Sequence, residues 1–347
     1  MKILYVMVAL LVFGILIFIH ELGHYIMARM FGVTIYEFAL GMGPKVLSFV
    51  SKKTGIRYSI RLLPVGGYVN MAGEDEESED PNALNKKPAW QRFIIIASGS
   101  LMNLFCGILV MFLLVCSTPI VPSATIHSYP IREGTTVSSE DSGLMPGDRI
   151  IKVGNVRVHI GNQVVYEIMR NGIKPIDITV QRGDEIIVIP DVAFPTESYN
   201  GQTIANPDFK LKAEARSVVN ILKHTYFRST STVKMIWKSL FDLITGRYGF
   251  EAVSGPVGLT DAIGSAAKQS FPDLVHLSVV ISMNLGIFNL LPIPALDGSR
   301  LIFILVEMIR RKPINPKHEG YVHFVGIIVL LSLMLLVTFK DIAGLIR

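Results

Sequence analysis

The feature that most limits how this chain folds is an H-E-x-x-H motif, residues 20–24, inside a long apolar run. Residues 3–19 carry no charge, so the run is long enough to cross a bilayer, which takes about 20 residues. Ionisable side chains at membrane depth are costly and mark functional sites. On a helix, His20 and His24 share one face and can bind one metal ion, with Glu21 placed to reach a water on that ion.

Composition places the chain among membrane proteins that also have a polar part. Half of its 347 residues are hydrophobic, and the mean hydropathy is positive. The net charge of +5 is spread along the chain without a long basic run, which argues against nucleic acid as a partner. Cys106 and Cys116 fall in one apolar run, where they would lie about 15 Å apart on a helix, too far to form a disulfide.

Four long apolar segments predict a polytopic α-helical membrane protein with four transmembrane helices. Strand-like segments between them predict a membrane-associated β element on the cytoplasmic side and one extracytoplasmic α+β domain. The predicted order is a first transmembrane helix with the motif (1–31), the β element with an acidic loop (32–92), a second transmembrane helix (93–119), the α+β domain (120–195), an amphipathic helical region (196–272), a third transmembrane helix (273–309), a basic loop (310–320) and a fourth transmembrane helix with a tail (321–347).

The β element is predicted to contain four strands with glycine-containing turns between them, at 33–40, 46–50, 57–63 and 68–71. Two placements fit such an element. It is either a sheet that dips towards the motif helix, where protein or a cavity must cover it, or a hairpin on the surface. The acidic stretch that follows, residues 74–80, is typical of a solvated loop.

Residues 120–195 carry short strands, and Gly143-Leu144-Met145-Pro146-Gly147-Asp148-Arg149-Ile150 resembles the G-L-x-P-G-D-x-I pattern of bacterial PDZ domains. Leu144 is predicted to cap a small core. The other predicted elements are a strand at 150–153, a helix at 164–171 and strands at 176–182 and 185–190. PDZ domains often take a peptide by strand addition, and a spacer or steric filter is the alternative. The segment at 135–141 lacks the small residues that usually precede this pattern, which argues against a carboxylate-binding groove.

Residues 195–216 are polar and predict a loop, and residues 217–245 predict an amphipathic helix with Trp237 among its lysines. Such a helix lies on a membrane surface or packs against the PDZ-like domain. A turn at 254–258 and a short helix at 259–268 lead to the third span.

The third span contains Asn289 and then two prolines, Pro292 and Pro294, which cannot both lie in a regular helix interior. The helix is therefore predicted to unwind near Pro292 and to leave Asp297 on irregular backbone. Within a membrane, such backbone belongs in a site lined by protein.

The loop between the third and fourth spans carries a basic cluster, residues 310–317, and the positive-inside rule places it in the cytoplasm. Four spans then put residues 31–92 inside and residues 120–270 outside. The H-E-x-x-H motif and Asp297 each come late in a span that runs inward, so both are predicted to lie towards the cytoplasmic face.

Two histidines and one carboxylate with an open fourth position form the ligand set of a catalytic zinc site, which predicts His20, His24 and Asp297 as ligands. Zinc lowers the pKa of a bound water to about 7. Glu21 is predicted to take the proton of that water and deliver it to a leaving amine. Asn289 is the candidate donor to the oxyanion, and a hydrogen bond between helices is its alternative role.

With these motifs, the chain resembles the site-2 protease family of intramembrane zinc metalloproteases. The resemblance is to the bacterial form with a PDZ domain, which includes the regulator of sigma-E proteases. The resemblance covers nearly the whole chain. Besides H-E-x-x-H, it is carried by Gly41-Met42-Gly43, Pro64-Val65-Gly66-Gly67-Tyr68-Val69, Ser254-Gly255-Pro256-Val257-Gly258 and the stretch from Asn289 to Asp297-Gly298. Ser299 stands where the family often has a second glycine, and the chain has one PDZ-like segment where the best-known members have two.

The resemblance implies the same zinc ligands and general base, and a role for Asn289 in binding the substrate or transition state. It also implies that the strands within 33–71 form a membrane-reentrant element that holds an unwound substrate. We accordingly predict substrate-binding roles for four of its glycines, Gly41, Gly43, Gly66 and Gly67.

The substrates implied by the resemblance are transmembrane segments of single-pass membrane proteins, such as anti-sigma factors or remnant signal peptides, already trimmed by an upstream site-1-type protease. The implied location is the bacterial inner membrane. The active site would lie towards the cytoplasm and the PDZ-like domain outside.

Two other functions fit parts of the sequence. Intramembrane histidine and aspartate also line ion paths in metal transporters, but no inverted repeat is visible between the halves of the chain. A membrane scaffold with a PDZ-like binding domain would leave Glu21 and the histidine pair without a purpose. Replacing Glu21 by glutamine discriminates, because neither transport nor scaffolding needs a general base.

Overall fold

The computed structural model of the chain describes residues 2–74, 78–130, 138–199, 202–246, 253–312, 314 and 316–346. It divides into two compact units, Met1–Val110 with Val233–Arg347, and Met111–Thr232. The helices are α1 (Lys2–Met30), α2 (Ala89–Ser117), α3 (Gly161–Asn171), α4 (Val218–Ile244), α5 (Pro256–Gln269), α6 (Phe271–Leu290), α7 (Asp297–Arg310) and α8 (Pro316–Ile346). The strands are β1 (Ile35–Val50), β2 (Arg57–Met71), β3 (Val121–Ser128), β4 (Arg149–Val153), β5 (Val156–Arg157), β6 (Ile176–Arg182), β7 (Glu185–Val192), β8 (Thr196–Tyr199), β9 (Gln202–Ala205) and β10 (Lys210–Glu214).

Four helices in the described part of the chain are long and apolar enough to cross a membrane: Leu4–Met30, Ala89–Ser117, Phe271–Leu290 and His318–Ala343. They agree with the four predicted spans, and most of their surface is apolar and unburied, as hydrocarbon contact requires. Cys106 and Cys116 both lie on α2 and are free, as the spacing predicts.

The first two spans pack closely at two glycines. A Cβ added to Gly23 of α1 would clash with the Ser98 carbonyl of α2 and lie 2.9 Å from Met102 Cβ. A Cβ added to Gly99 of α2 would overlap the imidazole of His24. Small residues let membrane helices approach in this way, so the packing of α1 on α2 depends on both positions.

The predicted division of the β element into four separate strands is wrong, because its glycine segments do not end the strands. β1 and β2 run continuously through them, and Gly41, Gly43 and Gly66 take up the irregularity with φ of +87°, +84° and +86°. The pairing nevertheless gives a sheet of four paired segments, here called rows, because β1 and β2 each fold back on the other. Residues 35–40 pair on one side with residues 67–71 and on the other with residues 57–60, which also pair with residues 47–50.

The third span breaks where the prolines predict, but Asp297 is not on irregular backbone. α6 ends at Leu290, Pro292 and Pro294 lie in the link, and Asp297 is the first residue of α7. Gly298 explains the tight return, because a Cβ there would clash with the carbonyls of Leu290 and Leu291.

Ser299 has a defined role at the start of α7. Its hydroxyl donates a hydrogen bond to the Leu296 carbonyl at 2.8 Å, and the residue is buried. A side chain is therefore accommodated at the position where the family often has glycine.

The unit Met111–Thr232 is built on a sheet of order β10-β3-β4-β6-β7, with β5 paired to β4. Leu144 is fully buried in its core, as expected of the G-L-x-P-G-D segment. Asp148 fixes the turn, because its buried carboxylate accepts hydrogen bonds from the Met145 N–H at 2.9 Å and from Arg182 Nε at 2.7 Å.

Several predicted local elements need correction. Residues 195–216 are not a loop but carry β8, β9 and β10. The helix predicted over 164–171 begins at Gly161, and the helix predicted over 259–268 begins at Pro256, inside the predicted turn. β8 and β9 contain few apolar residues and pair with each other as a short hairpin. β10 is too short to predict as a strand by itself and is stabilised by pairing with the distant β3. Residues 75–77 and 135–137, parts of the acidic loop and of the segment before the PDZ-like pattern, lie outside the described residues.

The start of α5 is capped from the other end of the chain. Asp341 Oδ2 on α8 accepts hydrogen bonds from the N–H groups of Gly255 and Gly258, each at 2.9 Å. α5 in turn packs against α1, where a Cβ on Gly264 would meet Tyr5 at 2.9 Å. The carboxylate therefore ties the last helix to a helix that supports the motif helix.

We expect Asp341→Leu to lower the free energy of unfolding by about 1–2 kcal/mol, because two N–H groups at a helix start lose their acceptor. Thermal unfolding of the detergent-solubilised chain measures this. Asp341→Asn keeps an oxygen acceptor and should lose less. Equal melting temperatures for the two variants would contradict a capping role.

Candidate metal centre

Three predicted ligands meet at one point, although they come from two distant parts of the chain. His20 and His24 project from one face of α1, and Asp297 from the start of α7. Asp297 Oδ2 lies 3.1 Å from His20 Nε2 and 3.3 Å from His24 Nε2, and the two Nε2 atoms are 3.3 Å apart. Both histidines are buried.

The spacing of these atoms fits a tetrahedral zinc ion. Ligand atoms about 2.0–2.1 Å from zinc at tetrahedral corners lie about 3.3 Å apart, close to the three separations observed. Asp297 Oδ2 is buried and has no hydrogen-bond donor among the described residues, so a cation is the partner this oxygen lacks. Two imidazole nitrogens and one carboxylate oxygen are also the donor set of catalytic zinc sites.

Neighbouring groups orient both imidazoles towards that point. His24 Nδ1 lies 2.8 Å from the Ile95 carbonyl, which can only accept, so Nδ1 carries the proton and Nε2 keeps its lone pair. The side-chain amide of Asn103 lies 3.3 Å from His20 Nδ1. Its Oδ1 is buried without a donor in the described part of the chain, and a 180° turn of the amide lets Oδ1 accept the Nδ1 proton.

Glu21 opens onto a cavity of about 570 Å³ that also reaches the three ligands. The other walls of this cavity come from the end of β2, from Ile96 of α2, from the link before α7 and from the starts of α7 and α8. Its ionisable residues besides the centre itself are Tyr68, Glu74, Arg300, Glu319 and His323. A carboxylate next to a metal ligand set and open to solvent-sized space is the arrangement a general base needs.

The last row of the β element faces the centre. Tyr68, Val69 and Met71 line the cavity. Gly67 is in contact with the motif helix, since a Cβ there would lie 3.1 Å from Glu21 Cγ. Among the four predicted glycines, Gly67 therefore lies beside the centre. Gly41, Gly43 and Gly66 instead provide the positive φ angles at the irregular positions within β1 and β2.

A charged network holds this part of the β element. Arg61 donates to the Gly43 carbonyl at 2.8 Å, to Glu37 at 3.0 Å and to the Tyr68 hydroxyl. Burial alone would raise the pKa of Glu37. The hydrogen bonds from Ser59 and Arg61 have a larger opposite effect, so the pKa of Glu37 lies below its ordinary value. The network links the Gly43 region to the strand that faces Glu21.

Asn289 is not among the residues that line the cavity. It is half-buried near the end of α6, so its predicted contact with the transition state stays a prediction. Sequence reasoning missed Asn103, which contacts the predicted ligand His20 directly. It also missed Arg300, one turn after Asp297, which forms an ion pair with Glu74 at 3.0 Å.

Four membrane-type helices around a buried zinc ligand set with an adjacent carboxylate define a multi-pass membrane metalloprotease. The sequence profile of Peptidase family M50 matches residues 8–333. The chain belongs to this family, the site-2 proteases, and is a zinc metalloprotease.

Curated relatives extend over almost the entire chain. The regulator of sigma-W protease RasP of Bacillus subtilis is 32% identical over 421 aligned positions, covering 96% of this chain and 97% of the relative. The zinc metalloprotease RasP of Bacillus licheniformis is 30% identical, with 96% and 97% covered. A Clostridium acetobutylicum protein, named as a candidate zinc metalloprotease, is 33% identical over 340 residues, 97% of both chains.

We expect Gly99→Ala to lower zinc affinity by about tenfold or more, because the new Cβ would overlap the His24 imidazole and displace a ligand. Zinc retained against a competing chelator measures the affinity. Gly107→Ala, two turns further along α2, is the matched control, since its Cβ would meet the Met283 side chain and the Val279 carbonyl and no metal ligand. Equal zinc retention in both variants would show that Gly99 does not support the ligand.

Asn103→Leu should weaken zinc binding by about 10- to 100-fold, because His20 Nδ1 loses the acceptor that fixes its tautomer. Asn103→Asp keeps an oxygen at that position and should retain most of the affinity. The same chelator competition separates the two variants. An unchanged affinity in Asn103→Leu would mean that another group orients His20.

Proposed function

We propose that this chain is an intramembrane zinc endopeptidase that cleaves transmembrane segments of single-pass membrane proteins. The observation that carries the proposal is the position of Glu21. It stands beside three convergent ligand atoms, and it lines the same cavity as a strand with which an extended substrate can pair. A metal-binding protein without proteolysis has no use for that carboxylate.

Zinc, when bound, supplies a Lewis acid that polarises a peptide carbonyl and a water whose pKa is lowered to about 7. His20, His24 and Asp297 would hold it. Glu21 takes a proton from the attacking water and then delivers it to the nitrogen of the leaving amine, so that the peptide bond breaks without a free strong base or acid. Asn103 and the Ile95 carbonyl keep the two imidazoles in the tautomer that binds metal.

An α-helical substrate shields its peptide bonds in its own hydrogen bonds, so it must unwind before attack. Residues 67–71 pair with residues 35–40 on one side, and Tyr68, Val69 and Met71 among them line the cavity. An unwound substrate that adds as a strand there replaces its helical hydrogen bonds with sheet bonds and brings its carbonyls beside Glu21. This supports a substrate-holding role for the β element, with Gly67 leaving the space next to the motif helix.

The outer part of the β element favours the membrane placement over a surface hairpin. Leu47, Phe49, Leu62 and Leu63 are large apolar residues with exposed side chains. Contiguous exposed apolar surface of this kind is stable against lipid or protein and not against water. We therefore place the element in contact with the bilayer, on the same side as the metal centre.

The basic residues between α7 and α8 favour a cytoplasmic location for that end of the membrane helices, and so for the metal centre. The unit Met111–Thr232 is then extracytoplasmic and PDZ-like, and the membrane is the bacterial inner membrane. Water reaches the centre from the cytoplasmic side, through the cavity that Glu74, Arg300 and His323 line.

The name of the Bacillus subtilis relative, regulator of sigma-W protease, favours membrane-bound regulators as substrates. Anti-sigma factors and remnant signal peptides fit the site, because each presents a single membrane segment. A substrate with its external domain already removed, by an upstream site-1-type protease, fits a site that is buried among helices.

A cleavage assay tests the proposal. The wild type and Glu21→Gln would be expressed beside a tagged single-pass substrate without its external domain. We expect a shorter fragment with wild type, and none with Glu21→Gln or after zinc chelation, because both remove the means of activating water.

Zinc content provides the matched control for this assay. Glu21→Gln should keep its zinc, since Glu21 is not a ligand, whereas His20→Ala should lose both zinc and cleavage. Equal fragment levels in wild type and Glu21→Gln would refute the role of Glu21 as general base. Metal transport and scaffolding would then be the functions to test.

A further inference from the structure

The unit Met111–Thr232 covers a sheet edge with its own chain. β3 lies between β4 and β10, and α3 packs against β3. Without β10, β3 would be an edge strand beside a helix, the arrangement in which an extended peptide is captured by strand addition. β10 occupies this edge at four paired positions, from Lys210 opposite Ser128 to Glu214 opposite Val121.

β10 also occupies the space between β3 and the helix. Gly161 is the first residue of α3, and a Cβ there would lie 2.6 Å from the Ser123 carbonyl oxygen and 2.8 Å from Leu211 Cδ1. Leu211 therefore lies where α3 comes closest to β3, and it packs against the core of the unit. A side chain of an added peptide would need this same position.

The chain just before β10 is held by buried contacts. The Asp208 carboxylate accepts hydrogen bonds from Ser138 Oγ at 2.8 Å, from the Ser139 N–H at 2.8 Å and from Ser139 Oγ at 2.5 Å. Phe209 follows and is buried in the core. Removing a buried carboxylate from three donors is costly, so the start of β10 is fixed.

The end of β10 is fixed on α4. Glu214 accepts a hydrogen bond from Lys223 Nζ at 2.8 Å and lies 3.1 Å from Nε2 of the buried His224. Burial alone would raise the pKa of Glu214. Its hydrogen bonds to Lys223 and His224 have a larger opposite effect, so the pKa of Glu214 lies below its ordinary value. The ionised carboxylate thus keeps both partners at neutral pH.

We infer that β10 is a built-in ligand of the β3 edge, and that this unit does not capture substrate peptides by strand addition beside α3. The inference rests on the proposed function, because it concerns how the protease selects substrates. The new outer edge is five residues long and carries Lys210 and Lys212, features that discourage further strand pairing. A spacer or a steric filter is the role that remains for the unit.

A reversible cross-link tests the inference. Lys210→Cys with Ser128→Cys would be introduced into the full chain after Cys106→Ala and Cys116→Ala, which remove the two free cysteines. Cross-strand partners are close enough for a disulfide, so it should form on mild oxidation. The oxidised enzyme should cleave the trimmed single-pass substrate within about twofold of the reduced enzyme, because substrate never displaces β10.

Two outcomes would overturn the inference. One is a loss of cleavage of about tenfold or more on oxidation that a reductant restores, since substrate would then need the β3 edge. The other is failure of the disulfide to form while both thiols still react with an alkylating reagent. Single-cysteine variants control for oxidation itself.

Hydrogen exchange on the unmodified protein gives a second measurement. The amides of β10 should exchange about 100-fold or more slowly than those of an unstructured peptide, because they belong to the sheet. Exchange at the unstructured rate would overturn the inference. Disulfide formation and hydrogen exchange both report on β10 without any need for cleavage. If the wild type cleaved no test substrate, that result would refute the proposed function and leave the inference about β10 to these two measurements.

Discussion

The approach of Asp297 to the two histidines is the interaction on which the arrangement of the membrane helices depends. His20 and His24 are buried and Asp297 is partly buried among apolar helices, where polar side chains are costly unless they bind a common ion. The close packing of α1 on α2 at Gly23 and Gly99 places His24, and the buried amide of Asn103 places His20. The other contacts of these helices hold the histidines of α1 and the carboxylate at the start of α7 in position around one centre.

The link between α6 and α7 solves a second problem, which is how a carboxylate reaches the centre from a membrane helix. Pro292 and Pro294 end one helix, and Gly298 lets the next begin beneath the carbonyls of Leu290 and Leu291. Asp297 then stands at the start of α7, where the helix dipole favours a negative charge. The Ser299 hydroxyl stabilises the same turn, so the return of the chain is rigid where a ligand must not move.

Much of this was predictable from sequence, for a physical reason in each case. Apolar length gave the four spans, helical spacing paired His20 with His24, and two prolines located the break before Asp297. The supporting residues were not predictable, because Asn103 and Gly99 matter only through what α1 places against them. β10 escaped prediction for the same reason, because it forms a strand through its pairing with the distant β3. β8 and β9 form a local hairpin, but they contain too few apolar residues for a strand to be recognised from sequence.

The order of the ligands along the chain has a consequence for biosynthesis. The two histidines are synthesised first, whereas Asp297 follows about 270 residues later, roughly 15–55 s at translation rates of about 5–20 residues per second. Until then the histidine pair lacks its third ligand. Asp341, which closes α8 onto α5, arrives later still. A nascent chain that ends before Asp297 therefore has an incomplete ligand set, and we expect it to lack protease activity.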